Sequence, residues 1–161
     1  MLLFLSLSPA DQEVWLCGRV VLGAVNRTAD VRRCAGGKAV NAARAAAILG
    51  GDSLVVGFFG RGQGLVERLA AEGIAADPIY TECATRRAAS LIDRERGDVT
   101  ELVEEACAPS ASEYAALEEL FRARAGKADA ICMCGSLPPG LRTDFYADLM
   151  RRAGHPRVII D

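Results

Sequence analysis

The chain has 161 residues, 51% of them hydrophobic and 25% charged, with a formal net charge of −2. That is enough chain for one domain with a sizeable core, in the composition range of soluble globular proteins. The near-balanced charge excludes the basic field that draws a protein to nucleic acid or to an acidic membrane surface.

The opening "MLLFLSLSPA" lacks the basic n-region and the unbroken apolar run of a signal peptide, and it reads as a buried first strand. No stretch is long and apolar enough to span a bilayer, and the expected location is cytoplasmic. "EVWLCGRVV" follows as an antiparallel strand outside the main alternation. The spacing then predicts a helix over Val40–Leu49, a strand in "SLVVGFF" and a helix over about Gly64–Glu72. "RAASLIDRERGDVTELVE" reads as two antiparallel strands turning at "RERGD", with Gly97 supplying the unusual backbone angle. A helix over Ser112–Ala125, capped by Ser112, leads to the strand "DAICMC". A helix over Thr143–Ala153, capped by Thr143 with Asp144 in its first turn, leads to the strand "RVIID". Gly73, Gly126 and Gly154 stand where these helices should stop.

The four near-continuous apolar strands have the pattern of strands buried on both faces of a parallel sheet. Strand and helix alternate, so the class is α/β with right-handed crossovers. The two segments that break the alternation point to a small accessory sheet. "RVIID" ends the sequence with no covering helix and no strand beside its edge.

Six cysteines, Cys17, Cys34, Cys83, Cys107, Cys132 and Cys134, include no CxxC pair, and one histidine does not supply a Cys/His zinc site. Reduced core cysteines are expected.

Three glycine-bearing loops carry the chemistry. Gly37-Lys38 is followed by Ala39 and the earlier glycine position holds Arg32, so no Walker A loop is present. "GRGQG", Gly60 to Gly64, follows a strand and precedes a helix but misses the dinucleotide spacing, with Leu65 where the last glycine belongs. An oxidoreductase-type nucleotide domain is the weakest of the available readings. Gly36-Gly37-Lys38 opens a helix, where unpaired backbone N–H groups and the macrodipole favour an anion. Lys38 opposes that dipole unless an anion lies between them. Lysine is rare here, with only Lys38 and Lys127 among nineteen basic residues. Asn41, one turn in, offers a donor and an acceptor to hydroxyls. Two readings stand on these residues alone, an ordinary strand-to-helix connection and a cradle for a phosphorylated polyol. "CGSLPPGL", Cys134 to Leu141, places Ser136 in a stiff loop at the carboxyl end of another strand, where α/β proteins keep their sites.

"AGGKAVNAARAAAILGG" resembles the first signature of the PfkB (ribokinase-like) carbohydrate kinases, and "GSLPPGL" resembles the matching loop of their hexose-phosphate branch. "LSLSPADQEVW" and "GFFG…GLVERLAAEGI" are similar to that branch's opening strand and its second strand and helix. The resemblance runs from Met1 to Asp161 and implies a ribokinase-like parallel sheet with flanking helices and a small β lid. The lid strands are expected at about 13–33 and 86–104 of a single domain. It implies transfer of the γ-phosphoryl of ATP, with Mg²⁺, to a hydroxyl of a hexose phosphate such as fructose 1-phosphate or tagatose 6-phosphate. Gly36, Gly37 and Asn41 match positions that hold sugar hydroxyls. Arg86 and Ser136 match positions that grip the sugar's phosphate, with Lys38 beside them. Arg87 should face the other side of its strand. The lid often joins two subunits in this family, which makes a homodimer the expected assembly.

The chain departs from the family in several places. Where the opening motif has Asp three residues after its proline, this chain has Gln12, with Asp11 one earlier, so either could take that role. Ala39 replaces a glycine and Val103 an asparagine. The family's catalytic base lies in a GAGD motif that also forms the anion hole, and the sequence contains no GAGD. The expectation is therefore an incomplete domain without the nucleotide-binding half, with no catalytic residue and no metal ligand, inactive alone. A non-catalytic sugar-phosphate-binding or regulatory domain is the alternative.

Overall fold

A computed structural model describes all residues from Met1 to Asp161. The apolar runs at the start, middle and end of the chain become a five-stranded parallel sheet in the order β5-β4-β1-β8-β9. Its strands are β1 (Leu2–Ser6), β4 (Ser53–Gly60), β5 (Ala75–Thr81), β8 (Ala130–Met133) and β9 (Val158–Ile160). Every residue of β4 is buried, and Leu3, Phe4 and Leu5 of the central β1 are nearly so. These strands lie between helices on both faces, which explains their lack of polar alternation.

The helices are α1 (Lys38–Ile48), α2 (Leu65–Ala71), α3 (Ala111–Ala125) and α4 (Phe145–Ala153). One side of the sheet packs Leu3, Leu5, Val56 and Phe58 against Leu117 and Phe121 of α3 and Phe145 and Leu149 of α4. The other packs Phe4, Val55 and Phe59 against Val40 and Ala43 of α1 and Leu65 and Leu69 of α2.

A second, four-stranded sheet has the order β3-β2-β6-β7, from β2 (Ala10–Cys17), β3 (Val31–Gly36), β6 (Arg87–Asp93) and β7 (Asp98–Val103). The two segments that break the α/β alternation thus meet in one sheet. β6 and β7 pair antiparallel, whereas β2 and β6 run parallel, unlike the antiparallel arrangement expected for both segments. A parallel pair cannot be joined by a tight hairpin, and here β3, α1, β4, α2 and β5 intervene.

Other expectations are corrected. The cap of α3 is Ser110, not Ser112: Glu113 N–H donates to the Ser110 hydroxyl and the Glu113 carboxylate accepts from Ser110 N–H, a reciprocal capping box. α4 starts after Asp144 rather than at Thr143, without a side-chain cap. β5, "AADPIYT", was not expected as a strand. Its Pro78 is tolerated because the strand lies at the sheet edge. β9 is not a buried strand, since Ile159 and Ile160 are 63% and 47% exposed.

The cysteines are not all reduced. Cys83 and Cys107 form a disulfide, with Cα atoms 6.1 Å apart, while the other four are free. The crosslink ties the β5–β6 connection to the β7–α3 connection across a sequence separation of 24. Closing such a loop removes unfolded-chain entropy worth up to about 3 kcal/mol. Reduction is therefore expected to lower the urea midpoint, and a midpoint unchanged by reductant would show that the link does not contribute.

Candidate functional site

The site is built where β1 leaves the main sheet. The chain turns through Ser8 and Pro9 directly into β2, so the carboxyl end of β1 and the start of the second sheet share one corner. Gly37 presses on this turn with φ of +104°. A Cβ there would lie 3.1 Å from Pro9 Cα and 3.2 Å from the Ser8 carbonyl oxygen, so both conformation and space demand glycine. Gly37 is also the N-cap of α1, so the free amides of that helix open beside Ser8.

Gly36 has a different reason to be glycine. A Cβ would fall 2.2 Å from Gln12 Oε1, so the space is held by the Gln12 amide. Gln12 Nε2 donates to Ser90 Oγ at 3.0 Å. Asp11, its neighbour, points to the opposite face of β2, where Arg68 Nη2 donates to its carboxylate at 2.7 Å. Gln12, not Asp11, therefore shares the glycine face. Arg87 lines the same side as Asp11, Glu13 and Arg33, away from Arg86.

Arg86 lies on the other side of the Ser8 turn. Its Nη2 donates to the Ser8 carbonyl at 3.3 Å, and it lines a small cavity of about 30 Å³ with Ser8, Pro9, Thr85 and the Cys83–Cys107 link. Arg86 Nε and the Ser8 hydroxyl are both buried without a hydrogen-bond partner. The Ser8 carbonyl is thus the common neighbour of Gly37 and Arg86.

Lys38 reaches away from Arg86. Its Nζ donates to the Asp161 carboxylate at 3.0 Å, and both side chains are exposed. Its Cβ packs beside Gly135, at the root of the "GSLPPGL" loop. Tyr146 holds that root by donating to the Gly135 carbonyl at 3.0 Å. Burial pushes its phenol up to about 12, so the donor stays protonated. Ser136, next in line, is exposed and makes no hydrogen bond within the protein. The Asn41 amide oxygen accepts from Arg44, whose guanidinium also donates to the Ala35 carbonyl at 2.6 Å and pairs with Glu72. The Glu72 hydrogen bond raises the Arg44 pKa, so this brace between α1, β3 and the end of α2 keeps its charge.

The structure gathers Ser8, Gln12, Gly36, Gly37 and Arg86 at one corner, with Lys38 and Ser136 on its Gly135 flank. The cavity beside Ser8 that Arg86 lines is not lined by Lys38. Two participants were missed by sequence reasoning, Ser8 and Ser90. Ser8 precedes the proline of the opening motif, which was the available signal; for Ser90 only the fold supplies the neighbour.

The pfkB family carbohydrate kinase profile matches residues 14–159. The chain belongs to the pfkB family of carbohydrate kinases. Solved structures agree on the fold. A possible 1-phosphofructokinase from Thermotoga maritima superposes with a TM-score of 0.91 at 24% identity, over 99% of this chain and 52% of that one. Phosphofructokinase-2 from Escherichia coli, in complex with fructose 6-phosphate, gives 0.83 at 23% identity, over 99% and 53%. Ribokinase from Giardia lamblia gives 0.75 at 18% identity, over 99% and 50%. The chain spans about half the length of these pfkB-type structures. No helix is long and apolar enough to cross a membrane.

Proposed function

We propose that this chain carries the sugar-phosphate-holding part of a pfkB-type kinase, whose reaction moves the γ-phosphoryl of ATP to a hydroxyl of a hexose phosphate. The observation that carries this reading is the pair of buried, partnerless groups at the corner, Arg86 Nε and the Ser8 hydroxyl. Buried donors without partners are costly, and a phosphate oxygen would satisfy both. A guanidinium is suited to that anion because its fork can donate two parallel bonds. The Lys38–Asp161 pair is exposed on both sides, and such pairs contribute at most about 1 kcal/mol, so an arriving anion can draw Lys38 away. Gly36, Gly37, Gln12 and Asn41 border the space for the sugar's hydroxyls.

ATP and a divalent metal are used by the family. No three His, Cys, Asp or Glu side chains come together as metal ligands. The contribution of this chain is to bind and orient the acceptor. Calorimetric titration should show fructose 1-phosphate, fructose 6-phosphate or tagatose 6-phosphate binding at least about tenfold tighter than fructose or tagatose, the equivalent of one charged hydrogen bond. Equal affinity for phosphorylated and plain sugars would overturn the reading.

The same reading includes a homodimer through the second sheet, acting as a lid. Strand β7 ends that sheet with Val99, Leu102 and Val103 exposed. An unpaired apolar edge favours association. Light scattering should give twice the 17.1 kDa chain mass, and a monomer at high concentration would contradict it.

A further inference from the structure

We infer that Glu101 and Ser90 act as positioning residues that fix which end of the Gln12 amide faces the sugar. The inference rests on the reading that the Gly36–Gly37 corner holds a sugar phosphate.

Gln12 shares the glycine face of the corner, with its side-chain amide against Gly36. A glutamine amide has two unlike ends, and either can face a ligand. If the NH₂ end faced the sugar, the position would turn from acceptor to donor. What decides the orientation is the hydrogen-bond network around it.

That network has a direction. Glu101 is opposite Ser90 in the β6–β7 register, and Ser90 Oγ donates to its carboxylate at 3.2 Å. An ionised carboxylate only accepts, so the single hydroxyl proton of Ser90 is committed to Glu101. The Ser90 oxygen can then only accept from its other side, where Gln12 Nε2 donates at 3.0 Å. With the NH₂ end held by Ser90, Oε1 is turned over Gly36, at the corner, and no donor of the protein reaches it. The negative charge on β7 thereby sets an acceptor on β2 through one hydroxyl. Gly36 is required because any side chain there would collide with that oxygen. The corner thus carries a neutral acceptor.

Three variants separate this device from simple packing. Ser90→Ala removes the connecting hydroxyl, whereas Ser90→Thr keeps it. Glu101→Lys replaces the acceptor by a donor, so Ser90 would receive from the lysine and donate to Gln12, turning the amide over. The readouts are calorimetric affinity for fructose 6-phosphate and fructose 1-phosphate, and the NMR signals of the Gln12 side-chain NH₂. Wild type and Ser90→Thr should show slowly exchanging Gln12 NH₂ protons and equal affinity. Ser90→Ala and Glu101→Lys should lose that protection. Both should bind about five- to tenfold more weakly, Glu101→Lys doing so despite its added positive charge. Unchanged NH₂ protection in Ser90→Ala, or tighter binding by Glu101→Lys, would overturn the inference. Absence of sugar-phosphate binding by the wild-type chain would instead overturn the functional reading, and the NH₂ signals would still report whether Ser90 orients Gln12.

Discussion

In a coupled assay with ATP, Mg²⁺ and a panel of hexose phosphates, the 161-residue chain alone is expected to release no ADP above background. Phosphoryl transfer is accelerated by positioning and by groups that stabilise the transferring charge. Loss of a single such donor costs roughly 10²–10³ in rate. The expectation rests on the sequence, which contains no GAGD segment. Lys38 and Asp161 form an exposed ion pair with each other. Turnover of about 1 s⁻¹ or faster, ordinary for an enzyme, would show that base and anion hole are present among these residues. Activity that appears only on adding a separately produced GAGD-containing polypeptide would support a division of labour between two chains.

The second large effect is at Arg86. Arg86→Ala should weaken hexose-phosphate binding by about 1.5–3 kcal/mol, the usual range for a charged hydrogen bond. That corresponds to roughly 10- to 150-fold in affinity. Binding of the unphosphorylated sugar should be unchanged within error, because the contact proposed for the guanidinium is with the phosphate. Fold stability should change little, since the only protein hydrogen bond lost is the 3.3 Å contact to the Ser8 carbonyl. Equal weakening for sugar and sugar phosphate would place Arg86 in the scaffold instead of the phosphate grip.

The parts of the fold legible in the sequence were those governed by local pattern. β1, β4 and β8 announce themselves because strands buried on both faces are continuously apolar. Gly37 announces itself because a left-handed backbone against another chain segment admits little else. The edge strand β5 was hidden by Asp77 and Pro78, which an edge tolerates and a central strand would not. The choice between Asp11 and Gln12 could not be made from spacing, because it depends on which face of β2 meets Gly36 and which meets Arg68, 57 residues on. The Cys83–Cys107 link was missed for the same reason: the two loops meet only once β6 and β7 have folded back between them. The corner itself was half legible. Its glycines and Arg86 carry motif signals, but the partnerless Ser8 hydroxyl becomes visible only when burial and hydrogen bonds are known.

The central claim is that one corner, around Ser8, holds the sugar phosphate. Backbone amide NMR of the chain titrated with fructose 1-phosphate and fructose 6-phosphate tests it most directly. The account predicts shifts confined to Ser8–Gln12, Gly36–Asn41, Thr85–Ala88 and Gly135–Ser136, with the Arg86 Nε–H signal moving into the range of a hydrogen-bonded guanidinium. Shifts centred on the Gly60–Gly64 loop, with the Ser8 corner and Arg86 Nε–H unmoved, would contradict it.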